Sequence, residues 1–221
     1  MQAVNVPAAP SRRRALRRVA LGLAAAVAVA GGFVIGAVQR PEVKLARSRC
    51  AGDPVMNSKL LVAYASRAGS TSEVAQAIAD RLCGQGFDAE VRPVQEVGSL
   101  DGFQAVVLGS AIRYGAWLPE MVKFVDGHRA ALAALPVAVF TTHMQALDDS
   151  EPSRQTRRGY SQAVRALVTP RDEAFFAGKV DPATLSFFER MAVKMVKSPL
   201  GDKRDWTRIR AWADGLAVAL R

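Results

Sequence analysis

Short apolar runs alternate with amphipathic segments along the chain from residue 60 onwards. Four runs rich in Val, Ala, Leu and Phe predict strands buried on both faces of a parallel sheet: residues 60–65, 105–110, 137–142 and 174–177. Residues 89–94 alternate between apolar and polar side chains, which is typical of an outer strand. The segments between them place apolar residues at helical spacing, as Val74, Ile78 and Leu82 do. This alternation predicts an α/β domain over residues 60–221, with helices on both faces of the sheet.

The loops that follow the buried strands are the candidate site, because ligands of such sheets bind beyond the carboxyl ends of the strands. Residues 66–72, the first loop, are small and hydroxylated and lead into a helix, which favours a phosphate site. The loop matches neither the Walker pattern nor the G-x-G-x-x-G turn. The alternative is a helix cap, which needs one hydroxyl, whereas this loop carries four: Ser66, Ser70, Thr71 and Ser72.

The second and third loops carry aromatic and titratable side chains. In residues 110–117, Tyr114 and Trp117 stand beside small residues, where a flat ligand could lie, although both rings could instead belong to the core. In residues 141–144, His143 either is exposed to solvent or lies near the ligand.

The amino-terminal part of the chain has a pattern of its own. Residues 1–18 are basic and residues 19–38 carry no charge, long enough for a helix that crosses a bilayer. The run predicts a single membrane anchor. It could instead be an export signal of the twin-arginine type, or lie upstream of a true start at Met56. Cations flank both ends of the run, so the side of the membrane on which the domain lies stays open. Residues 39–59, with their Pro and Gly, are predicted to be a solvated linker.

Charge and composition narrow the function classes. The net charge of the 221 residues is +10, but residues 1–59 contribute +8 and residues 60–221 only +2, so the domain is not predicted to bind nucleic acid. Two cysteines, Cys50 and Cys83, are too few for a disulfide framework, and two histidines provide little for a metal site. We therefore expect no metal.

The three loops, in this order, resemble those of the flavodoxin family. Residues 66–71 are similar to its S/T-x-x-G-x-T phosphate loop, and residues 111–115, Ala-Ile-Arg-Tyr-Gly, look like the S-I-R-Y-G segment of its quinone-dependent protoporphyrinogen dehydrogenase branch. The resemblance runs from residue 60 to the C-terminus and implies a five-stranded parallel sheet of order 2-1-3-4-5. The sequence departs from this branch in two of the loops. The first loop lacks the acidic residue of the branch, and the third loop has Thr-Thr-His where the branch has Ser-Val-Asn.

The resemblance also implies non-covalently bound FMN and assigns residues to it. The phosphate is expected on the first loop: Ser66, Arg67, Ala68, Gly69, Ser70 and Thr71. The ring is expected between the other two loops: Ser110, Ala111, Ile112, Arg113, Tyr114, Gly115, Thr141, Thr142 and His143. Since the flavin supplies the redox chemistry, no catalytic side chain is required, and the candidates are Arg113, Tyr114 and His143. Arg113 could stabilise reduced flavin, bind a substrate carboxylate, or form a surface ion pair.

Residues 179–205 fit an insertion that the same branch carries. Their apolar residues at helical spacing predict one broad apolar face: Leu185, Phe187, Phe188, Met191, Ala192, Met195 and Val196. Arg190, Lys194 and Lys197 would form a basic stripe beside it. Such a helix favours a membrane surface or a groove for a carboxylated apolar substrate, and packing on the sheet is the alternative. The arginines of residues 154–165 are predicted to lie on a solvated helix face.

Three functions remain open. The first is oxidation of protoporphyrinogen IX to protoporphyrin IX with a membrane quinone as acceptor, which the resemblance implies. The second is a membrane-tethered quinone reductase or electron-transfer protein acting on another small reduced substrate. The third is a flavodoxin-like binding module without FMN. The expected partners are therefore membrane lipid, a quinone and a small reduced substrate, and the oligomeric state is left open.

Overall fold

A computed structural model describes residues 43–53 and 58–221, and it contains a mostly parallel sheet between two layers of helices. The strands are β1 (Ser48–Arg49), β2 (Lys59–Ala65), β3 (Asp88–Pro93), β4 (Ala105–Arg113), β5 (Ala116–Trp117), β6 (Val137–His143), β7 (Asp172–Ala177), β8 (Lys179–Val180) and β9 (Gly201–Asp202). The helices are α1 (Ser70–Cys83), α2 (Pro119–Gly127), α3 (Arg129–Ala133), α4 (Glu151–Tyr160), α5 (Gln162–Arg165), α6 (Phe187–Met195) and α7 (Trp206–Ala219).

The five long strands are parallel and follow the predicted order. β2 pairs with β3 on one side and β4 on the other, and β6 and β7 continue the sheet beyond β4. Counted among these five strands alone, the order is 2-1-3-4-5. The sheet also contains two short strands that the prediction lacked, since β1 pairs antiparallel with β3 and β5 pairs antiparallel with β4.

Strand β2 shows how the sequence pattern builds the two layers. Leu60, Val62 and Tyr64 face a core shared with α1 and α7. Leu61 and Ala63 face a second core on the opposite side, shared with α2, α3, α4 and α5. Because alternate residues of a strand point to opposite faces, a continuous apolar run satisfies both layers at once.

Residues 43–53 belong to the domain, so the predicted linker 39–59 is wrong over this stretch. β1 extends the sheet, the amide of Ala46 donates to Ser72 Oγ (2.6 Å), and Cys50 forms a disulfide with Cys83 of α1. Leu45 and Ala46 also pack against the core on the α1 side. The segment contains only a few apolar residues between charges, so its docking has no periodic signal in the sequence.

The residues for which a membrane helix was predicted, 19–38, lie outside the described residues, as does Met56. Within residues 43–53 and 58–221, no helix combines the length and the hydrophobicity that crossing a bilayer requires.

Candidate functional site

The carboxyl ends of the central strands open into a cavity of about 320 Å³, which we call the main cavity. All three predicted loops contribute to its lining, together with residues that follow β7 and with the insertion around α6. A cavity at this edge is expected, because the strand order reverses between β2 and β4.

The first loop forms a cradle at the amino terminus of α1. The amide of Gly69 donates to Ser66 Oγ (3.0 Å), and Gly69 has a φ of 86°, a conformation that favours glycine. Among the described residues no side chain caps α1, whereas Ser150, Ser186 and Asp205 cap α4, α6 and α7. The first-turn amides of α1 therefore keep their hydrogen-bonding capacity for an anion.

Two buried hydroxyls connect the first loop to the third. Thr71 Oγ1 lies 2.6 Å from Thr142 Oγ1, and both side chains line the main cavity. The pair ties the start of α1 to the end of β6, so the two loops are held at a set distance from each other.

An ion pair connects the first loop to α2. Arg67 donates to Glu120 Oε2 at 2.8 Å, which compensates the charge of the guanidinium beside the cradle. The other carboxylate oxygen, Oε1, is buried and has no hydrogen-bond partner in the described part of the chain.

The second loop separates its two aromatic rings. Trp117 is buried, and its indole Nε1 donates to Thr141 Oγ1 (2.8 Å), so this ring belongs to the core. Tyr114 is 89% exposed and lines the main cavity. Tyr114 and Gly115 both have positive φ and form the two-residue turn between β4 and β5. The turn projects Tyr114 to the rim, and Arg113 lies 5.3 Å from its ring.

His143 is the last residue of β6 and is buried, which excludes the solvent-exposed alternative. Its Nδ1 lies 2.7 Å from the carbonyl oxygen of Gln145, so Nδ1 carries the hydrogen and Nε2 is the acceptor of the neutral ring. Burial lowers the pKa of His143, the bond to Gln145 raises it, and the charges of Arg157 and Arg208 lower it further. The net effect is a lowered pKa, so the ring is neutral near pH 7.

The structure brings most of the predicted residues together around the main cavity. Those that line it are Ser66, Arg67, Ala68, Ser70, Thr71, Ala111, Ile112, Arg113, Tyr114, Gly115, Thr142 and His143. The other three do not line it: Gly69 shapes the cradle, Thr141 binds Trp117, and Ser110 Oγ accepts from the amide of Leu118. Residues that line the cavity but were not named as site residues include Leu118, Met144, Gln145, Tyr160, Gly178, Lys179 and Val180.

The insertion closes one side of the main cavity. Its apolar residues do not form the one broad face that the sequence predicted. Leu185, Ala192, Val193 and Val196 line the cavity. In contrast, Phe188, Met191 and Met195 are 59%, 56% and 80% exposed. Because α6 lies between the main cavity and solvent, some of its apolar residues face the cavity and others are exposed.

The predicted basic stripe is also interrupted. Arg190 Nε donates to the carbonyl oxygen of Leu185 (3.1 Å), so this side chain folds back on the start of the helix. Lys197 lies beyond the end of α6 with a φ of 49°. Arg190 and Lys194 are the exposed cations within the helix itself.

Comparisons with known proteins show what the chain is similar to. The family model of the Flavodoxin domain matches residues 61–207. The chain is 26% identical over 167 residues to the protoporphyrinogen IX dehydrogenase [quinone] of Escherichia coli (strain K12), covering 73% of this chain and 91% of that protein. It is also 26% identical to the protein of that name from Leishmania major, and the match covers 72% of this chain and 71% of that protein. Among solved structures, an archaeal flavodoxin matches with a TM-score of 0.46 and 18% identity, and the match covers 73% of this chain and 98% of that one.

Proposed function

The chain belongs to the flavodoxin domain family, and on this premise we propose that it is an FMN-dependent oxidoreductase that oxidises protoporphyrinogen IX and reduces a membrane quinone. The observation that carries the proposal is the main cavity, which joins an uncapped helix start to an apolar wall from the insertion. The names of the relatives from Escherichia coli and Leishmania major support this substrate and this acceptor.

The cradle fits the single phosphate of FMN. Residues 66–71 would hold the phosphate through first-turn amides of α1 and the hydroxyls of Ser70 and Thr71. Residues 110–115 and 141–143 would flank the ring, and Tyr114 and the Thr71–Thr142 pair would be among the side chains that hold the cofactor. When bound, FMN supplies the acceptance and release of electrons.

The side chains around the main cavity have three tasks in this proposal. Leu185, Ala192 and Val193 exclude water and provide an apolar surface for a macrocycle. Arg113 and Lys179 line the same cavity and offer cations to carboxylate groups of the substrate. His143 is neutral and offers Nε2 to a proton that leaves the substrate during oxidation.

Anaerobic titration of the purified full chain tests the proposal. Addition of protoporphyrinogen IX should bleach the flavin absorbance, and addition of menaquinone should restore it. A yellow protein that quinone reoxidises but protoporphyrinogen IX leaves unchanged has another electron donor. A protein that binds no flavin after reconstitution is a binding module, and FAD in place of FMN contradicts the cofactor assignment.

One observation favours the second function, a membrane-tethered quinone reductase or electron-transfer protein. Disulfides persist in oxidising compartments and are rare in the cytosol, and the structure pairs Cys50 with Cys83. A domain on the outer side of the membrane would be separated from the cytosolic supply of porphyrinogen. Alkylation of free thiols before lysis, followed by mass spectrometry, tests this: a disulfide in cells favours the second function, and two alkylated cysteines favour the first.

For localisation we propose that residues 19–38 anchor the chain in a membrane. The full chain should fractionate with membranes and resist alkaline extraction. A mature amino terminus near Gly31 would instead indicate export and cleavage. One at Met56 would indicate the shorter chain, which lacks β1 and Cys50.

A further inference from the structure

A second cavity of about 170 Å³ lies on the other side of His143, and we call it the basic cavity. His143 is the one residue of ranges 43–53 and 58–221 that lines both cavities. The basic cavity is bounded by the end of β7, by α4 and by the start of α7. Three cations, Arg157, Lys203 and Arg208, stand around it with one carboxylate, that of Asp205.

The carboxylate in the basic cavity is already engaged. Asp205 caps α7, where its Oδ1 accepts from the amide of Arg208 at 2.9 Å. Across residues 43–53 and 58–221, neither Lys203 nor Arg208 forms an ion pair with its side chain. Two exposed cations without an ion-pair partner among the described residues therefore border a space lined on one side by Phe175.

Arg157 is buried, contrary to the prediction of a solvated face, with only 8% of its surface exposed. Its Nη1 donates to the carbonyl oxygens of Ala146 and Asp148, both at 2.6 Å. Its one ionic partner, Asp149 at 3.2 Å, has a side chain that is 78% exposed, and such a pair compensates a buried charge poorly. The two carbonyl groups orient the guanidinium but carry no net charge that would neutralise it.

We propose that the basic cavity binds an oxyanion of carboxylate size, and that Arg157, Lys203 and Arg208 recognise it. The cavity has room for a carboxylate with its adjoining carbons, and Phe175 suits those carbons. This group belongs either to a free small anion or to a carboxylate side chain of the substrate, and the substrate arm rests on the proposed function.

Occupancy of the basic cavity has a readout at His143. The charges of Arg157 and Arg208 lower the pKa of His143, and a bound anion offsets them, so the pKa rises on binding. Tyr160, whose ring centroid lies 5.7 Å from that of His143, is the titratable neighbour from α4. The chain has two histidines, and the other, His128, lines neither cavity and serves as an internal reference.

The experiment is NMR titration of the full flavin-loaded chain with 15N-labelled histidine, at constant ionic strength. Added acetate or inorganic phosphate raises the pKa of His143 saturably, by about one pH unit, and leaves His128 unchanged. The double variant Lys203→Ala, Arg208→Ala loses the response. The control Arg210→Ala removes one positive charge from α7 outside the cavity and keeps the response.

A second arm identifies the source of the anion. Protoporphyrin IX raises the pKa of His143 and its dimethyl ester does not, if a substrate carboxylate occupies the cavity. Response to acetate alone assigns the cavity to a free anion. No saturable response to any probe, or an equal response in the double variant, overturns the proposal. None of these measurements requires turnover. They can therefore be interpreted even if the protein does not oxidise protoporphyrinogen IX.

Discussion

At the scale of single residues, two buried features stand out in the lining of the main cavity, the Thr71–Thr142 hydroxyl pair and His143. Both depend on burial: the two threonines are shielded from water, and the imidazole is held neutral by its surroundings. Losing a hydrogen bond between buried side chains costs more free energy than losing an exposed one, because the group left behind cannot form a hydrogen bond with water.

Thr71→Ala should weaken FMN binding by about 1.5–3 kcal/mol, the typical effect of losing a hydrogen bond to a charged acceptor. The affinity is measured by quenching of FMN fluorescence. Ser72→Ala is the matched control, because Ser72 is buried in the same helical turn but binds Tyr64 and Ala46 and does not line the cavity. Ser72→Ala should lower stability and spare FMN affinity. Equal losses of affinity in both variants would contradict a phosphate contact at Thr71.

His143 should make the stability of the domain depend on pH. Its folded-state pKa is lowered, mainly by burial, so the unfolded state binds the proton more readily. Stability from the neutral ring is fully present above the unfolded pKa of about 6.5 and is lost as pH falls towards the folded value. Urea denaturation at pH 7.5 and 5.5 measures this difference. His143→Gln should reduce it and His128→Gln should not; a slope that survives His143→Gln would assign the effect to other groups.

At the scale of elements, α6 has a double role. One side completes the wall of the main cavity, and the other exposes Phe188, Met191 and Met195 to solvent. Exposed large apolar side chains that cluster on one helix mark interaction surfaces more often than isolated ones do.

We expect the exposed side of α6 to lie at the membrane interface, which brings the main cavity close to the quinone pool. Phe188→Ser, Met191→Ser and Met195→Ser combined should reduce binding of residues 43–221 to anionic vesicles, measured by sedimentation. In the full chain, turnover with a long-tailed quinone should fall more than turnover with a short soluble one. Val218→Ser is the control, since Val218 is 83% exposed on α7. Equal effects on both quinones would assign α6 to the cavity wall alone.

At the scale of the whole molecule, the segment before β2 is tied to the domain at several points. Arg47 forms an ion pair with Glu96, Tyr64 donates to the carbonyl oxygen of Ala46, and the disulfide joins residues 33 positions apart. The side chain of Val43 lies close to Gly69, so the segment also borders the cradle.

Removing the disulfide should lower the free energy of unfolding by about 3 kcal/mol, because the cross-link restricts the unfolded chain. Cys50→Ser combined with Cys83→Ser is compared with the native protein in guanidinium denaturation. Dithiothreitol should reproduce the effect in the native protein and leave the double variant unchanged. A native protein that reductant does not destabilise would contradict a structural role for this cross-link.

The sequence alone determined the α/β architecture, the order of the five long strands through family resemblance, and the three loops around the cavity. These features have signals that are local in sequence. The run of residues 60–65 predicts a buried strand whatever surrounds it, and a hydroxylated loop before a helix predicts an anion site by its backbone geometry.

Tertiary structure alone decided the remaining features, because each depends on residues far apart in the chain. Trp117 faces inward because Thr141 offers its hydroxyl there, and Arg157 is buried because the carbonyl groups of Ala146 and Asp148 accept its protons. Residues 43–53 join the sheet because β3 has an open edge for β1. The spacing of apolar residues in the sequence shows which side of a helix or strand is apolar. Only tertiary packing decides whether that side contacts the core, a cavity or solvent.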